Sequence, residues 1–319
     1  MRYLLFFFLF LSSCGVKKSA DYKIILNSSD EFLNKNSSVT LEILGLNDDK
    51  FSVNYFLNDQ EIKAKINLSN AKFGSNTVKA VLSNNNNQIT LSKEIDVFSN
   101  ISPKVYSYEI INEYDHDISS YTQGLEFYGD YLYESTGLNG YSSLKKIDLF
   151  KNKVIKSRFL DKQYFGEGLT IINNKILQLT WKSKVGFIYD LESLEMQGSF
   201  DYGESSEGWG LANDGKNIYK SDGTEKIWIL DSESFIEIDY LEVVTNNKKI
   251  RNINELEIVD DLIYANTYQF NNDVCVMINK ESGEVTGIIN FKGLRDNVKD
   301  HPELDVLNGI AYNKKRNSF

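Results

Sequence analysis

The segment YFGEGLTI, residues 164–171, sets one carboxylate, Glu167, between two glycines inside an otherwise strand-like run. Glutamate is a poor strand former and glycine weakens strand pairing, so this choice conflicts with regular sheet. Such conflicts concentrate at functional sites, and a carboxylate held there can move protons as a general acid/base. A glutamate that only hydrogen-bonds its neighbouring strands fits the same pattern, and the pattern leaves both readings open. Four other segments carry a comparable residue before a small or inward position: Gln123 in TQGLEF, Trp209 in EGWGLAN, Asn254 in NINELEI and Asn308 in VLNGIAY. The set is one carboxylate, one indole and three amides. A purely structural ring would favour repeated, similar residues.

The elements that position these residues follow from a repeat. Gly124, Gly168, Gly210, Glu255 and Gly309 align, at spacings of 44, 42, 45 and 54 residues. After each of the first four starts comes a second strand (DYLYESTG, NKILQLTW, KNIYKSDG, DDLIYANTY) and a third (SSLKKIDL, KVGFIYDL, EKIWILDS, DVCVMINK). A turn and a fourth strand follow. Four strands in roughly 40–50 residues mark a β-propeller blade, and five starts predict five blades. KVYSYEII, from Lys104 to Ile111, is expected as the outermost strand of the last blade, closing the ring. Inner strands of a propeller line a central channel, so Gln123, Glu167, Trp209, Asn254 and Asn308 should converge at one end of it. The matching second-strand positions are Gly137, Trp181, Gly223 and Tyr268. The sequence thus predicts an aromatic-walled pocket with a few polar groups, the usual form of a small-molecule site. Burial there should raise the pKa of Glu167.

The whole chain reads as all-β. It has 319 residues, 19 Tyr, 19 Phe and only 2 Pro, with aromatic and β-branched runs broken by Asn, Asp and Gly. The net charge of −10 argues against nucleic acid or an anionic membrane surface as partner. Residues 1–14 read as a signal peptide: Arg2, an apolar run from Tyr3 to Leu11, then LSSC. The run is too short to span a bilayer. LSSC resembles the lipobox of bacterial lipoproteins, which implies cleavage before Cys14, lipidation of that residue and a stable anchor to the cell envelope after export. A plain signal with an incidental cysteine is the alternative. Residues 22–100 hold five or more short alternating segments, the pattern of a small immunoglobulin-like β-sandwich, with no catalytic cluster. Residues 104–319 form the propeller.

The segments YTQGLEF, LYESTGLNGYSSLKKIDL, FGEGLT, LTW, EGWGLAN, SDGT, INELE and DVLNGIAY closely resemble the plant and bacterial type of glutaminyl-peptide cyclotransferase. The resemblance runs from about Val105 to Tyr312. It implies a five-bladed propeller that converts an N-terminal glutamine of peptides or proteins to pyroglutamate and releases ammonia. It places Glu167 in the acid/base role, Gln123 and Asn254 as amides that bind substrate and the developing oxyanion, and Trp181, Trp209 and Tyr268 as aromatic walls. Tyr121 and Phe165 match further aromatic positions. Tyr268 stands where the family often has Trp. The family continues past the NGIAY strand into a segment with a lysine and a tryptophan, whereas this sequence runs to Phe319, so an incomplete fifth blade is expected. The resemblance implies no cofactor and no catalytic metal; a structural calcium ion is compatible with inward carbonyls. The chain is expected to act as a monomer.

Other features read as structural. His116 and His301 lack metal-ligand spacing and read as solvated loop residues. Asp222 in SDGT reads as a turn residue, Cys275 as core, and the Lys and Asp of KNIYKSDGTEK as a solvated blade edge. Two rival functions remain. One is a catalytically impaired propeller lipoprotein that binds peptides or surface partners. The other is a lactonase-like metal propeller, which would need a ring of carboxylates and amides around calcium; the single inward acid at the aligned positions counts against it.

Overall fold

The computed structural model describes residues 22–46, 51–85, 87–270, 273–302 and 304–319. Cys14 and the signal segment lie outside the described residues. The first seven strands are β1 (Lys23–Asn27), β2 (Ser38–Leu44), β3 (Ser52–Leu57), β4 (Gln60–Ile62), β5 (Lys65–Asn67), β6 (Gly74–Ser83) and β7 (Gln88–Val97). They form two sheets, in the orders β1-β2-β5 and β4-β3-β6-β7. Alternation in β6 turns Val78, Ala80 and Leu82 inward onto Val39, Leu41 and Val97.

The remaining strands are β8 (Lys104–Tyr106), β9 (Thr122–Tyr128), β10 (Tyr131–Thr136), β11 (Ser143–Asp148), β12 (Lys153–Phe159), β13 (Gly166–Ile172), β14 (Lys175–Thr180), β15 (Val185–Asp190), β16 (Met196–Asp201), β17 (Leu211–Asn213), β18 (Asn217–Ser221), β19 (Lys226–Asp231), β20 (Glu237–Glu242), β21 (Ile253–Val259), β22 (Leu262–Thr267), β23 (Val274–Asn279) and β24 (Val285–Asn290). Strands β9–β24 pair antiparallel in four consecutive groups of four. Burial falls from the channel outward. Every residue of β13 is buried, whereas β12, at the rim of its sheet, is almost wholly exposed. Neighbouring sheets share cores: Tyr133 and Leu144 pack with Leu169 and Ile176, Leu177 and Leu179 with Leu211 and Ile218, and Tyr219 and Ile227 with Ile253 and Ile263. Each such side chain contributes about 1.5–3 kcal/mol on burial, so the blades hold one another rather than standing alone.

The repeated glycines have a steric reason. A methyl group on Gly168 would lie 2.6 Å from Trp209 O and 2.7 Å from the Cα of Gly210. One on Gly124 would lie 2.7 Å from the backbone N of Leu169, and one on Gly210 would strike Asn254 O. Inner strands therefore meet backbone to backbone. The fourth aligned residue is not a glycine but Glu255. Its carboxylate accepts N–H from Leu125 (3.3 Å) and from Ile310 (2.8 Å), bridging β21 to β9 and to the last segment. That segment, residues 308–312, lies beside the inner strands but joins no sheet, so the described residues form four complete blades.

Three expectations need correction. Lys104–Tyr106 does not form the outermost strand of a fifth blade; β8 pairs in parallel with β24, as a fifth strand on the fourth sheet. Lys220 and Asp222 are buried, not solvated. Lys220 Nζ bonds Ser205 Oγ and Glu207 O and pairs with Glu237 at 3.3 Å, while Asp222 accepts the indole N–H of Trp228 at 2.8 Å. His116 is not simply solvated either: its Nε2 lies 2.7 Å from the buried carboxylate of Glu134.

The two parts of the chain meet through Lys249, whose Nζ lies 2.7 Å from Asp96 and 2.8 Å from Glu242. Glu242 also accepts the backbone N–H of Ser75 at 3.0 Å.

Candidate active site

Glu167, Gln123 and Asn254 share one local device. In β13, Gly166 pairs with Thr180 and Leu169 with Gln178, so residues 167 and 168 oppose a single residue. In β21, Ile253 pairs with Thr267 and Leu256 with Ala265, leaving residues 254 and 255 opposite one partner. In β9, Thr122 pairs with Thr136 and Gly124 with Ser135, so Gln123 is skipped. Each is a β-bulge, which re-aims the extra side chain out of the ladder. The glycine-flanked glutamate that breaks strand regularity is the residue the bulge turns.

All three side chains are buried, with 6% exposure for Glu167, 8% for Gln123 and 4% for Asn254. Burial, then the nearby Glu207 carboxylate, holds the Glu167 carboxyl well above the usual carboxylate range. Gln123 Oε1 accepts N–H from the Asn308 amide at 2.8 Å, which leaves its Nε2 as the outward donor. Asn254 Oδ1 is buried and has no hydrogen-bond partner.

Above these groups stands an arc of half-buried rings. Tyr121 and Phe165 meet edge to face at 6.2 Å, and Phe165 and Trp181 lie 5.5 Å apart. Trp209 meets Tyr268 edge to face at 5.8 Å. Glycine makes room beneath two of them: the Cβ position of Gly137 lies against Phe165, and that of Gly223 against Trp209. The gap between the two tryptophans is bridged by Glu207, whose Oε2 accepts the indole N–H of Trp181 (2.6 Å) and of Trp209 (2.8 Å). At the far end, the Tyr121 hydroxyl donates to Asp305 at 2.5 Å. Burial and this carboxylate push the Tyr121 phenol up, and the charges of Tyr268 and Glu167 act on it too.

The structure thus brings together Gln123, Glu167, Asn254, Tyr121, Phe165, Trp181, Trp209 and Tyr268. The sequence reading missed Glu207 and Asp305. Glu207 lies two residues before Trp209 in EGWG, outside any strand alternation, and its role depends on a tryptophan from the preceding blade. Below the site the channel holds more acids, the buried Glu255 and the half-buried Glu126 and Glu257. Glu126 accepts from Thr170 Oγ1 (2.8 Å) and Ile171 N (3.1 Å), and Glu257 accepts from Tyr312 N (3.2 Å). Burial pushes Glu126 up to about 7 and Glu257 to about 8, and Glu255 well above the ordinary range. These carboxylates join strands. Among the described residues, no group of three or more His, Cys, Asp or Glu is arranged to hold a metal ion.

The arrangement sets a buried carboxyl, whose charge burial and Glu207 oppose, beside a free amide donor, a free amide acceptor and aromatic walls. The chain is similar to known proteins at the level of family, sequence and structure. The family model described as glutamine cyclotransferase matches residues 45–319. A glutaminyl-peptide cyclotransferase of Arabidopsis thaliana is 36% identical over 219 residues, 68% of each chain. The crystal structure of Myxococcus xanthus glutaminyl cyclase superposes with a TM-score of 0.60 at 27% identity, covering 68% of this chain and 91% of that one.

Proposed function

The chain belongs to the glutamine cyclotransferase family, and from that premise we propose that Glu167 carries the proton transfers by which it closes an N-terminal glutaminyl residue to pyroglutamate. The α-amine nitrogen attacks the side-chain amide carbon of the same residue. Glu167, as carboxylate, takes the proton that the amine must lose. The C–N bond of the new five-membered ring forms, and the amide oxygen becomes an oxyanion. Glu167 then returns the proton to the departing nitrogen, the old C–N bond breaks, and ammonia leaves. One group serves both steps because the proton it takes from the amine is the one it returns, and burial, by opposing its charge, favours its taking that proton.

The observation that carries this reading is the pair of unfilled amide functions on either side of Glu167. Asn254 Oδ1 is a buried acceptor without a donor, which costs about 1–3 kcal/mol unless something fills it. A substrate amine or amide N–H would fill it. The Nε2 of Gln123, with its oxygen already engaged by Asn308, is the complementary donor for the oxyanion. Trp181, Trp209, Tyr268, Phe165 and Tyr121 would enclose the aliphatic part of the glutamine side chain and exclude water. Every step is assigned to protein side chains. The binding-only alternative gains nothing from relatives named for the cyclisation activity. Export and lipid anchoring through Cys14 complete the proposal; their support is the apolar segment and LSSC pattern of residues 1–14 alone.

The test is ammonia release from a Gln-initiated peptide. Wild type should turn over, and E167Q, which keeps shape and removes the titrating group, should lose about 100- to 10,000-fold in kcat with unchanged circular dichroism. Equal turnover by E167Q would remove Glu167 from the mechanism.

A further inference from the structure

Glu207 takes no part in the proton transfers above, yet its placement is specific. One oxygen, Oε2, receives two indole N–H groups from different blades, at 2.6 Å from Trp181 and 2.8 Å from Trp209. Trp181 directly follows β14, and its backbone N–H is tied to Phe165 O at 3.0 Å. Trp209 precedes β17, and its backbone N–H is tied to Ser221 O at 3.0 Å. The backbone around Glu207 is itself fixed. Its carbonyl accepts from the buried Lys220 Nζ at 3.0 Å, and the next residue, Gly208, donates N–H to Trp181 O at 3.0 Å. Two charge-assisted bonds on a braced loop are more than a surface acid needs.

We propose that Glu207 is a positioning residue of the cyclisation site, pinning the two indole walls, Trp181 and Trp209, at a fixed separation beside Glu167 through one carboxylate oxygen. The proposal rests on the cyclase reading for its consequence and on the two indole bonds for its geometry. An aromatic slot selects a flat, uncharged carboxamide side chain only if its walls stand at a fixed distance. Without a shared acceptor, each indole would have to find water, and the walls could move independently. The charge of Glu207 has a second effect, because it faces Glu167 and opposes ionisation there. The other charged or titratable groups around it are Lys220 behind its carbonyl, Lys182 over the Trp181 ring at 3.9 Å, and the buried Tyr202 phenol against Gly208.

Two variants separate geometry from charge. E207Q keeps an oxygen that can accept both indoles but removes the charge; E207A removes both. Tryptophan emission and acrylamide quenching read the walls directly. The third tryptophan, Trp228, is anchored elsewhere on Asp222 and supplies a constant background. E207A should raise quenching and shift emission to the red, with KM for a Gln-initiated peptide up about tenfold and kcat changed far less. E207Q should keep the emission and KM of wild type while its acid pH limb moves to lower pH, since a like charge beside Glu167 is gone. Unchanged emission and KM in E207A would overturn the proposal. If E207A does not fold, E207M, which keeps the side-chain length but offers no acceptor oxygen to either indole, replaces it in the same readouts, and unchanged emission and KM there overturn the proposal. Absence of turnover by wild type would count against the cyclase reading, and the fluorescence comparison would still decide the role of Glu207.

Discussion

Asn308 donates a side-chain N–H to Gln123 Oε1 at 2.8 Å, across 185 positions of sequence. The same amide also donates to Thr122 O at 3.1 Å. This contact fixes which end of the Gln123 amide faces the site, so the last segment of the chain sets the chemistry of the first blade.

Removing that constraint should therefore cost rate without removing a group that touches substrate. N308A frees the Gln123 amide to turn its oxygen toward the site, where it would repel an oxyanion. Two hydrogen bonds are lost, of which the one to Gln123 bears on rate; at roughly 0.5–1.5 kcal/mol it predicts a fall in kcat of about two- to twelvefold. Steady-state kinetics with a Gln-initiated peptide measures it. A drop confined to KM would place Asn308 in binding alone.

The channel acids predict how stability responds to pH. Glu126 is pushed up to about 7 and Glu257 to about 8, from an ordinary value of 4.5. Between pH 4.5 and about 8 the folded chain keeps protons that the unfolded chain releases. Stability contributed by these groups is therefore full below pH 4.5 and is lost as pH rises through the folded values. The limit is about 1.4 kcal/mol per pH unit for each group. E257Q can still accept the Tyr312 N–H but carries no titrating proton, so its Tm should gain on wild type as pH goes from 5 to 8. Parallel Tm curves for the two proteins would show that Glu257 titrates as a free acid.

G168A tests the close approach of inner strands. The added methyl meets the Trp209 carbonyl at 2.6 Å, and backbone cannot yield as a flexible side chain can. Overpacking of this kind costs about 1–3 kcal/mol, and Tm should fall by several degrees. The bulge that turns Glu167 is in the same pair of residues, so activity should drop more than stability alone explains. A G168A protein with wild-type Tm would mean that the inner strands can move apart.

The repeat and the aromatic walls were legible because they follow rules local to a strand: alternation, turn residues and a fixed spacing of about 42–45 positions in the complete blades. Glu167 stood out because glutamate between glycines contradicts its surroundings. The bulges that turn Glu167, Gln123 and Asn254 were not legible as such, although the small residue after each of the first two was their trace. Glu207 and Asp305 were missed for another reason. Their partners, Trp181 and Tyr121, come from other parts of the ring, and no local pattern encodes a contact across blades. The placement of β8 failed likewise: KVY can pair with any open edge, and which edge is offered depends on the whole ring. Lys220 was misread because a lysine in a polar-looking run is ordinarily solvated, whereas here Glu237 and Ser205 neutralise it below the surface.

The parallel pairing of β8 with β24 joins Lys104 to Gly287 and Tyr106 to Ile289. In a chain made from its N-terminus, β8 emerges before any of the four blades and must wait for the last of them. Until then a strand with Val105 and Tyr106 stands as an open edge, free to pair with another copy of itself. Contacts between such distant positions also slow folding, because the intervening loop must be closed before they form. Between making β8 and making β24 that edge has no strand partner within the chain, and strands β1–β7, with a core of their own, lie just ahead of it.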